Sequence, residues 1–383
     1  MSFPPAPSFD SMGTRKAVLA ALDLPGRQFS PSALLEELEL LLGNLGIKSA
    51  GSVIQKRARP DPALLFGKGK AGELALFCKS AGADLLVCND TLTPGQKSNL
   101  QKETGVEIWD RPFVIMKIFE LRARSSEARM QVEMALCKYE IPHLKGLGEQ
   151  MSRLGGGIGT RGPGETEFER HRRKLERRVR DIDRKLDLLK KKRTLQRDRR
   201  KKMNFPVVSL VGYTNSGKSS LLRALSGDST LPAEDRLFTT LDTFIRKVTL
   251  PSGRDIMLSD TVGFIRDLPP GLVAAFRTTL EEIVSSAFLV FVLDMAAPDL
   301  AEVRDVVEKT VEEIGGGKIP RLFALNKSDL LDEGDRLAIE QRFREEGEAA
   351  VSISALRGTG LRALLSTLDA FIQKGETIQE EGN

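Results

Sequence analysis

The run Gly212-Tyr-Thr-Asn-Ser-Gly217-Lys218-Ser219 constrains this chain more than any other feature. It stands directly after an apolar stretch, Val207 to Val211, and directly before a helix-forming one, Ser220 to Leu225. Glycines at this spacing let successive backbone N–H groups turn inward around a phosphate, and the helix that follows adds the partial positive charge of its N-terminus. Strand, glycine loop and helix in that order form one unit of a parallel sheet, with the loop at the carboxyl edge. Gly212, Tyr213, Thr214, Asn215, Ser216, Gly217, Lys218, Ser219 and Ser220 are therefore the candidates for phosphate binding. Lys218 supplies a point charge near the β- and γ-phosphates, and the Ser219 hydroxyl suits Mg²⁺.

The sequence around this loop continues the α/β pattern. Apolar strands are expected at Ile256 to Ser259, Phe288 to Leu293, Leu322 to Leu325 and Ala350 to Ile353, with helical stretches between them. Thr243 to Leu250, Pro251-Ser-Gly-Arg254 and then Asp255 to Ser259 form a hairpin pattern, which puts one antiparallel strand in an otherwise parallel, doubly wound sheet. Asp260-Thr-Val-Gly263 closes one of these strands, so Asp260 can hold Mg²⁺ through a water and the Gly263 N–H can sense a γ-phosphate. Asn326-Lys327-Ser-Asp329 closes another. A carboxylate at Asp329 accepts from N1–H and the exocyclic amine of guanine, whereas adenine has no matching donor pair; the site selects GTP over ATP. Ser354-Ala355, after the last strand, can support the base with a backbone N–H. Between the loop and Asp260, Leu237-Phe-Thr-Thr-Leu-Asp242 offers Thr239 and Thr240 as the Mg²⁺ ligand that reports the γ-phosphate.

Upstream lies a second α/β pattern. Residues 1–13 are Pro-rich and expected to be a disordered tail. Lys16 to Leu24, Ser52 to Gln55, Asp84 to Cys88 and Val106 to Trp109 are strand-like, and they alternate with helical Ser32 to Leu42, Gly72 to Ser80 and Pro94 to Thr104; residues 14–110 form a small α/β domain. Residues 111–202 lose the strand signal. Met130, Met134, Cys137 and Ile141 recur at helical spacing, eight glycines crowd residues 146–164, and Leu175, Val179, Ile182, Leu186 and Leu189 then form a heptad stripe. That stripe implies a helix of about 35 residues, roughly 50 Å long. Two such helices joined by a glycine-rich tip at 146–164 make an antiparallel hairpin, followed by the nucleotide domain at 203–375 and a tail at 376–383.

Charge singles out the second helix of the hairpin. The 383 residues carry 58 Lys+Arg and 53 Asp+Glu, a net +5. Residues 165–202 hold 18 basic and 8 acidic side chains, so the rest of the chain is slightly acidic. A one-sign excess of this size repels itself unless something anionic offsets it. The same sequence excludes other classes. Its longest apolar run, Ala287 to Leu293, is far short of the ~20 residues a membrane helix needs, and the N-terminus lacks the basic start and apolar core of a secretion signal. Three scattered cysteines, Cys78, Cys88 and Cys137, fit a reducing cytoplasm, and two histidines, His143 and His171, make a histidine-based metal centre or triad improbable.

The chain resembles the HflX family of ribosome-associated GTPases. The resemblance rests on Gly155-Gly-Gly-Ile-Gly-Thr-Arg-Gly-Pro-Gly-Glu-Thr-Glu167 with His171-Arg-Arg173, on Asp110-Arg-Pro-Phe-Val-Ile with Ile118-Phe-Glu-Leu-Arg-Ala-Arg124, and on Asp260-Thr-Val-Gly-Phe-Ile-Arg-Asp-Leu-Pro269. It covers residues 15 to 370. It implies a protein that binds the large ribosomal subunit and its rRNA, hydrolyses GTP to GDP in response, and splits or rescues stalled ribosomes under stress. It also selects Thr240 over Thr239 as the γ-phosphate reporter, so that Lys218, Thr240 and Gly263 are the expected catalytic set. Arg153, Arg161, Arg172 and Arg173 of the hairpin, with Lys68 and Lys70 of Gly67-Lys-Gly-Lys70, are the candidate RNA contacts.

Two departures bear on mechanism. Phe264 follows Gly263 where many GTPases carry the glutamine that orients water, a substitution usual for the resembled family, and it predicts slow intrinsic hydrolysis. Asn215 resembles the asparagine that binds K⁺ in cation-dependent GTPases, so K⁺ is a further cofactor expectation. At the C-terminus, room remains only for a final helix at Leu361 to Ile372; the extra C-terminal domain of some members is not expected. Two other readings stay open: a GTP-gated RNA tether whose turnover is incidental, and an ATP-driven RNA helicase. Oligomeric state is left open by the sequence.

Overall fold

In a computed structural model the protein is described over residues 15–154, 163–202, 205–230, 238, 244–266 and 282–381, with side chains except at 145–154, 163–168, 190–202 and 374–381. The chain packs as two compact units. One holds the described residues up to Leu121 with Arg129–Asp187, and the other is built mainly on Leu188–Leu268 and Phe276–Asn383.

The first unit opens on a four-stranded, all-parallel sheet of β1 (Lys16–Asp23), β2 (Lys48–Lys56), β3 (Leu85–Cys88) and β4 (Glu107–Asp110), in the order β2-β1-β3-β4. Its connections are α1 (Pro31–Asn44), α2 (Lys68–Ala81) and α3 (Pro94–Thr104). Local chemistry sets their ends. Ser30 caps α1 by accepting from the Ala33 N–H, with Pro31 in the first turn, and Thr93 with Gln96 forms a capping box on α3. The core gathers Val18, Leu22, Leu74, Leu86, Leu100 and Ile108.

Most of the hairpin, Arg129–Asp187, packs with this sheet in one compact unit. α4 (Arg111–Arg122) leads into α5 (Ser126–Leu154) and α6 (Pro163–Lys202). Arg111, 1% exposed, pairs with Glu37 of α1 at 2.8 Å and donates to Asn89 at 3.0 Å. Asp110, at the carboxyl end of β4, accepts from the Leu92 and Phe113 N–H groups and from the Tyr139 hydroxyl of α5 at 2.9 Å. A buried carboxylate with three donors is fully paired, and it fastens the hairpin to the sheet.

α5 and α6 run antiparallel. Arg178 makes a two-pronged pair with Glu133 at 2.6 and 2.8 Å, and seven residues on along α5 Glu140 meets the field of His171, seven residues back along α6. The heptad stripe faces inward as expected: Ile182 is buried and Leu175, Val179, Leu186 and Leu189 are half-buried among exposed charges. The glycine tip is shorter than expected. α5 continues to Leu154 and α6 begins at Pro163, because Gly146 and Gly148 stand singly and a lone helical glycine costs only about 1 kcal/mol. Residues 155–162, the densest part of that segment, lie outside the described residues.

The second unit carries a six-stranded sheet in the order β10-β9-β8-β5-β7-β6, from β5 (Val207–Val211), β6 (Phe244–Thr249), β7 (Asp255–Asp260), β8 (Phe288–Asp294), β9 (Arg321–Asn326) and β10 (Ala350–Ser352). Only the β6–β7 ladder is antiparallel, and β6 is the edge strand, as the hairpin pattern indicated. The helices of this unit are α7 (Lys218–Ser226), α8 (Leu300–Glu313), α9 (Glu333–Glu345) and α10 (Leu361–Glu381). α10 runs nine residues past the expected end at Ile372, through most of the segment expected to be a tail. Val208, Leu210, Leu258, Val290, Leu322 and Leu364 lie in one apolar core. Among the described residues no helix is long and apolar enough to cross a membrane.

Candidate active site

Four parallel strands deliver the site residues to one edge. Their registers align Leu210 with Asp260 and Asp294 with Asn326, so the loop after β5 and the carboxyl ends of β7, β8 and β9 lie side by side. That edge is where doubly wound sheets take ligands.

The phosphate loop is held in a conformation that points inward. Asn215, exposed at its apex, has φ +62°, and Gly217 has φ +94°. Gly217 is also required by space, since a Cβ there would stand 2.1 Å from the Asn326 Nδ2. The Lys218 ammonium is buried and donates to Gly212 O at 3.1 Å and Tyr213 O at 2.7 Å. Burial pushes its pKa down to about 8, against the opposing pull of Asp260. Phosphate binding needs the charged form, so the free protein loses its ammonium, and with it affinity, as pH rises through 8. We expect GDP affinity to fall by up to about tenfold per pH unit above that point, read by titration of a fluorescent GDP between pH 7 and 9.5. A flat profile would mean that Lys218 stays charged without phosphate.

The Ser219 hydroxyl donates to Asp260 Oδ2 at 2.7 Å. A hydroxyl and a carboxylate side by side at a helix N-terminus are hard oxygen donors that fit Mg²⁺. Thr240, the third expected ligand, lies outside the described residues, as does Thr239. Gly263 closes on the loop: a Cβ there would meet Thr214 Cα at 2.8 Å, Thr214 Cγ2 at 2.9 Å and Lys218 Nζ at 3.0 Å. Phe264 is fixed behind it, 2% exposed, with its N–H donating to Gly212 O and its carbonyl accepting from the Thr214 N–H.

At the base end, Asn326 joins two loops. Its Nδ2 donates to Ser216 O at 2.8 Å and its Oδ1 accepts from the Ala355 N–H at 2.9 Å. Ser354-Ala355 was expected to support the base with a backbone N–H; here the Ala355 N–H holds the asparagine. Asp329 sits in the single 3₁₀ turn Ser328–Leu330, exposed and open to a base, and Lys327 is held at φ +64° by its 2.7 Å pair with Asp294. Ser354 is buried, and its hydroxyl accepts from the Arg357 N–H. Three residues escaped the sequence reading. Asp294 anchors Lys327, Leu356 stands 78% exposed beside Ala355, and Arg266 ties the segment after Gly263 to the loop by donating its N–H to the Tyr213 hydroxyl at 2.8 Å and pairing with Asp299. Arg266 falls inside a quoted motif; only its role was illegible.

The comparisons with known proteins agree over most of the chain. A GTP-binding GTPase N-terminal model matches residues 32–120, a GTP-binding GTPase middle-region model 122–200, and a model described as a 50S ribosome-binding GTPase 207–327. A GTPase HflX of Caldanaerobacter subterraneus subsp. tengcongensis is 50% identical over 78% of this chain and 69% of its own length. The Escherichia coli GTPase HflX is 37% identical over 90% and 80%. The chain belongs to the HflX family of GTPases. The GDP complex of SsGBP, 26% identical, matches 94% of this chain and 99% of its own with a TM-score of 0.50. Like its HflX relatives, this chain is a GTP hydrolase.

The candidate RNA contacts fare less evenly. Lys68 and Lys70 lie in the first turn of α2, where Lys70 pairs with Glu73, and the preceding Gly67 donates its N–H to Gln55 Oε1. Arg172 and Arg173 point from α6 and pair loosely with Glu176 and Glu169 on their own helix, at 3.5 and 3.4 Å. Arg153 falls in the last turn of α5, where side chains are not described, and Arg161 lies outside the described residues. Arg27 stands at the carboxyl ends of β1 and β3, where the strand order of this HflX chain's first sheet reverses. It donates to Leu22 O and pairs with Asp90, whose other oxygen accepts from the Leu22 N–H.

Proposed function

We propose that this GTPase works on the ribosome in the cytoplasm. It binds the large subunit, using the basic residues of α6 and the neighbouring glycine-rich segment on rRNA phosphates, and hydrolyses GTP in response, so that stalled ribosomes are split or rescued under stress. The observation that carries this reading is Phe264. Its backbone is pinned on both sides to the phosphate loop and its side chain is buried. A phenyl ring there cannot orient water, so turnover by the chain alone is slow and fast turnover calls for a further group or a rearrangement brought by the ribosome. The match of residues 207–327 to a ribosome-binding GTPase model supports the same partner.

Two cations accompany the nucleotide in this reading. Mg²⁺ would be held by Ser219, Thr240 and, through water, Asp260, and when bound it neutralises charge on the β- and γ-phosphates. K⁺ would be held by Asn215, whose side chain stands exposed at the loop apex. Single-turnover GTP hydrolysis by the full chain, with and without purified large subunits and in K⁺ or Na⁺, tests the proposal. Stimulation of about 10³-fold or more by subunits is expected, in the range a supplied catalytic group gives other GTPases, and greater in K⁺. Binding of subunits with no stimulation would favour the GTP-gated tether; equal rates in both salts would remove Asn215 from K⁺ binding.

A further inference from the structure

Two hydroxyls of the phosphate loop, those of Thr214 and Ser216, are buried without a hydrogen bond among the described residues. Thr214 is 6% exposed. Folded proteins seldom leave a buried hydroxyl unpaired, and one that persists next to a ligand site calls for a partner that arrives with the ligand. Of the two, Thr214 is the one that lies against Gly263. A Cβ on Gly263 would touch the Thr214 Cα and Cγ2 and approach the Lys218 ammonium at 3.0 Å, so the Thr214 side chain, Lys218 and the Gly263 backbone border one small space. By the logic of the loop, that space receives the γ-phosphoryl group. The Thr214 backbone is immobile there, with its N–H donating to Phe264 O at 2.8 Å.

We propose that Thr214 is a catalytic residue whose hydroxyl does part of the work that the Phe264 side chain cannot. It accepts a hydrogen bond from the attacking water and donates its own O–H to a γ-phosphoryl oxygen. Water oxygen bonds to the γ-phosphorus as the bond from that phosphorus to the β–γ bridging oxygen breaks. GDP leaves with that electron pair, the water proton passes to a γ-phosphoryl oxygen, and Thr214 ends unchanged. A hydroxyl is suited to this because it is donor and acceptor at once. The inference rests on the GTP hydrolysis assigned to this site and adds the group that orients water there.

The test is single-turnover GTP hydrolysis by full-length Thr214→Val, which keeps the shape and removes the hydroxyl, and Thr214→Ser, which keeps the hydroxyl and removes the methyl. GDP affinity and thermal midpoint are measured beside the rates. Thr214→Val should hydrolyse about 100-fold more slowly, the cost of removing one well-placed donor, a loss far larger than any change in GDP affinity, and Thr214→Ser should keep most of the wild-type rate. A Val variant with wild-type rate overturns the proposal. So does a Ser variant as slow as Val, which would make the methyl the relevant group. Should Val fail to fold, Thr214→Ala gives the same comparison against Ser. Failure of the wild-type protein to hydrolyse GTP in the same assay would instead overturn the parent reading.

Discussion

Asp329→Asn should lower affinity for GTP by about 10⁴-fold, the scale on which a site built around a substrate's hydrogen bonds rejects the wrong partner, and should raise affinity for XTP. The carboxylate is exposed in a short turn whose two neighbours are fixed elsewhere, Asn326 to Ser216 and Ala355, and Lys327 to Asp294. Substitution therefore leaves the frame intact and changes only the edge shown to the base. An amide there puts its NH₂ against the exocyclic amine of guanine, two donors facing each other, but meets the C2 carbonyl of xanthine as a proper donor. Competition titrations with GTP and XTP, with thermal midpoint as the folding control, measure the effect. Unchanged GTP affinity in a folded variant would mean that the base is read elsewhere.

Gly263→Ala should cost at least about 100-fold in GTP hydrolysis, the scale of a misplacement near 1 Å at a reacting centre, while GDP binding stays near wild type. The added methyl would stand 2.8 Å from the Thr214 Cα, which is backbone and cannot swing aside, and 3.0 Å from the Lys218 Nζ. The segment must then back away from the loop, giving up the two Phe264 backbone bonds to Gly212 and Thr214. GDP has no group in that space, so it does not feel the change. Single-turnover hydrolysis and GDP titration separate the two effects. Equal loss in both would point to a collapsed loop.

What the sequence made legible was what short segments decide alone. The β5 strand, the phosphate loop and α7 follow from one apolar run and one glycine spacing, and β6 with β7 from a four-residue turn between alternating strands. The heptad stripe was legible because Ile182 and its neighbours recur at helical spacing. Edge strand β2 extends beyond its legible part, since an exposed Lys48 and a half-buried Ser49 carry little apolar signal. α5 was ended too early because Gly146 and Gly148 were weighed with the denser glycines beyond. Contacts that bridge long sequence distances, such as Asn326 to Ser216, Arg266 to Tyr213 and Asp110 to Tyr139, were illegible; they depend on the sheet register and on how helices pack over it.

The clasp made by Asn326 limits how the protein can convert chemistry into motion. It ties the phosphate loop to the loop of Ala355 by bonds that do not pass through the segment after Asp260. GDP and GTP share the guanine end, so contacts made there contribute nothing to telling them apart, and a contact equal in both states shifts no equilibrium. In the proposed reading, what GTP hydrolysis delivers to a partner therefore originates at the far end of the nucleotide, where the last phosphate would meet Gly263, Lys218 and Thr214. The guanine end is a fixed mount, and the lever has a single point of attachment.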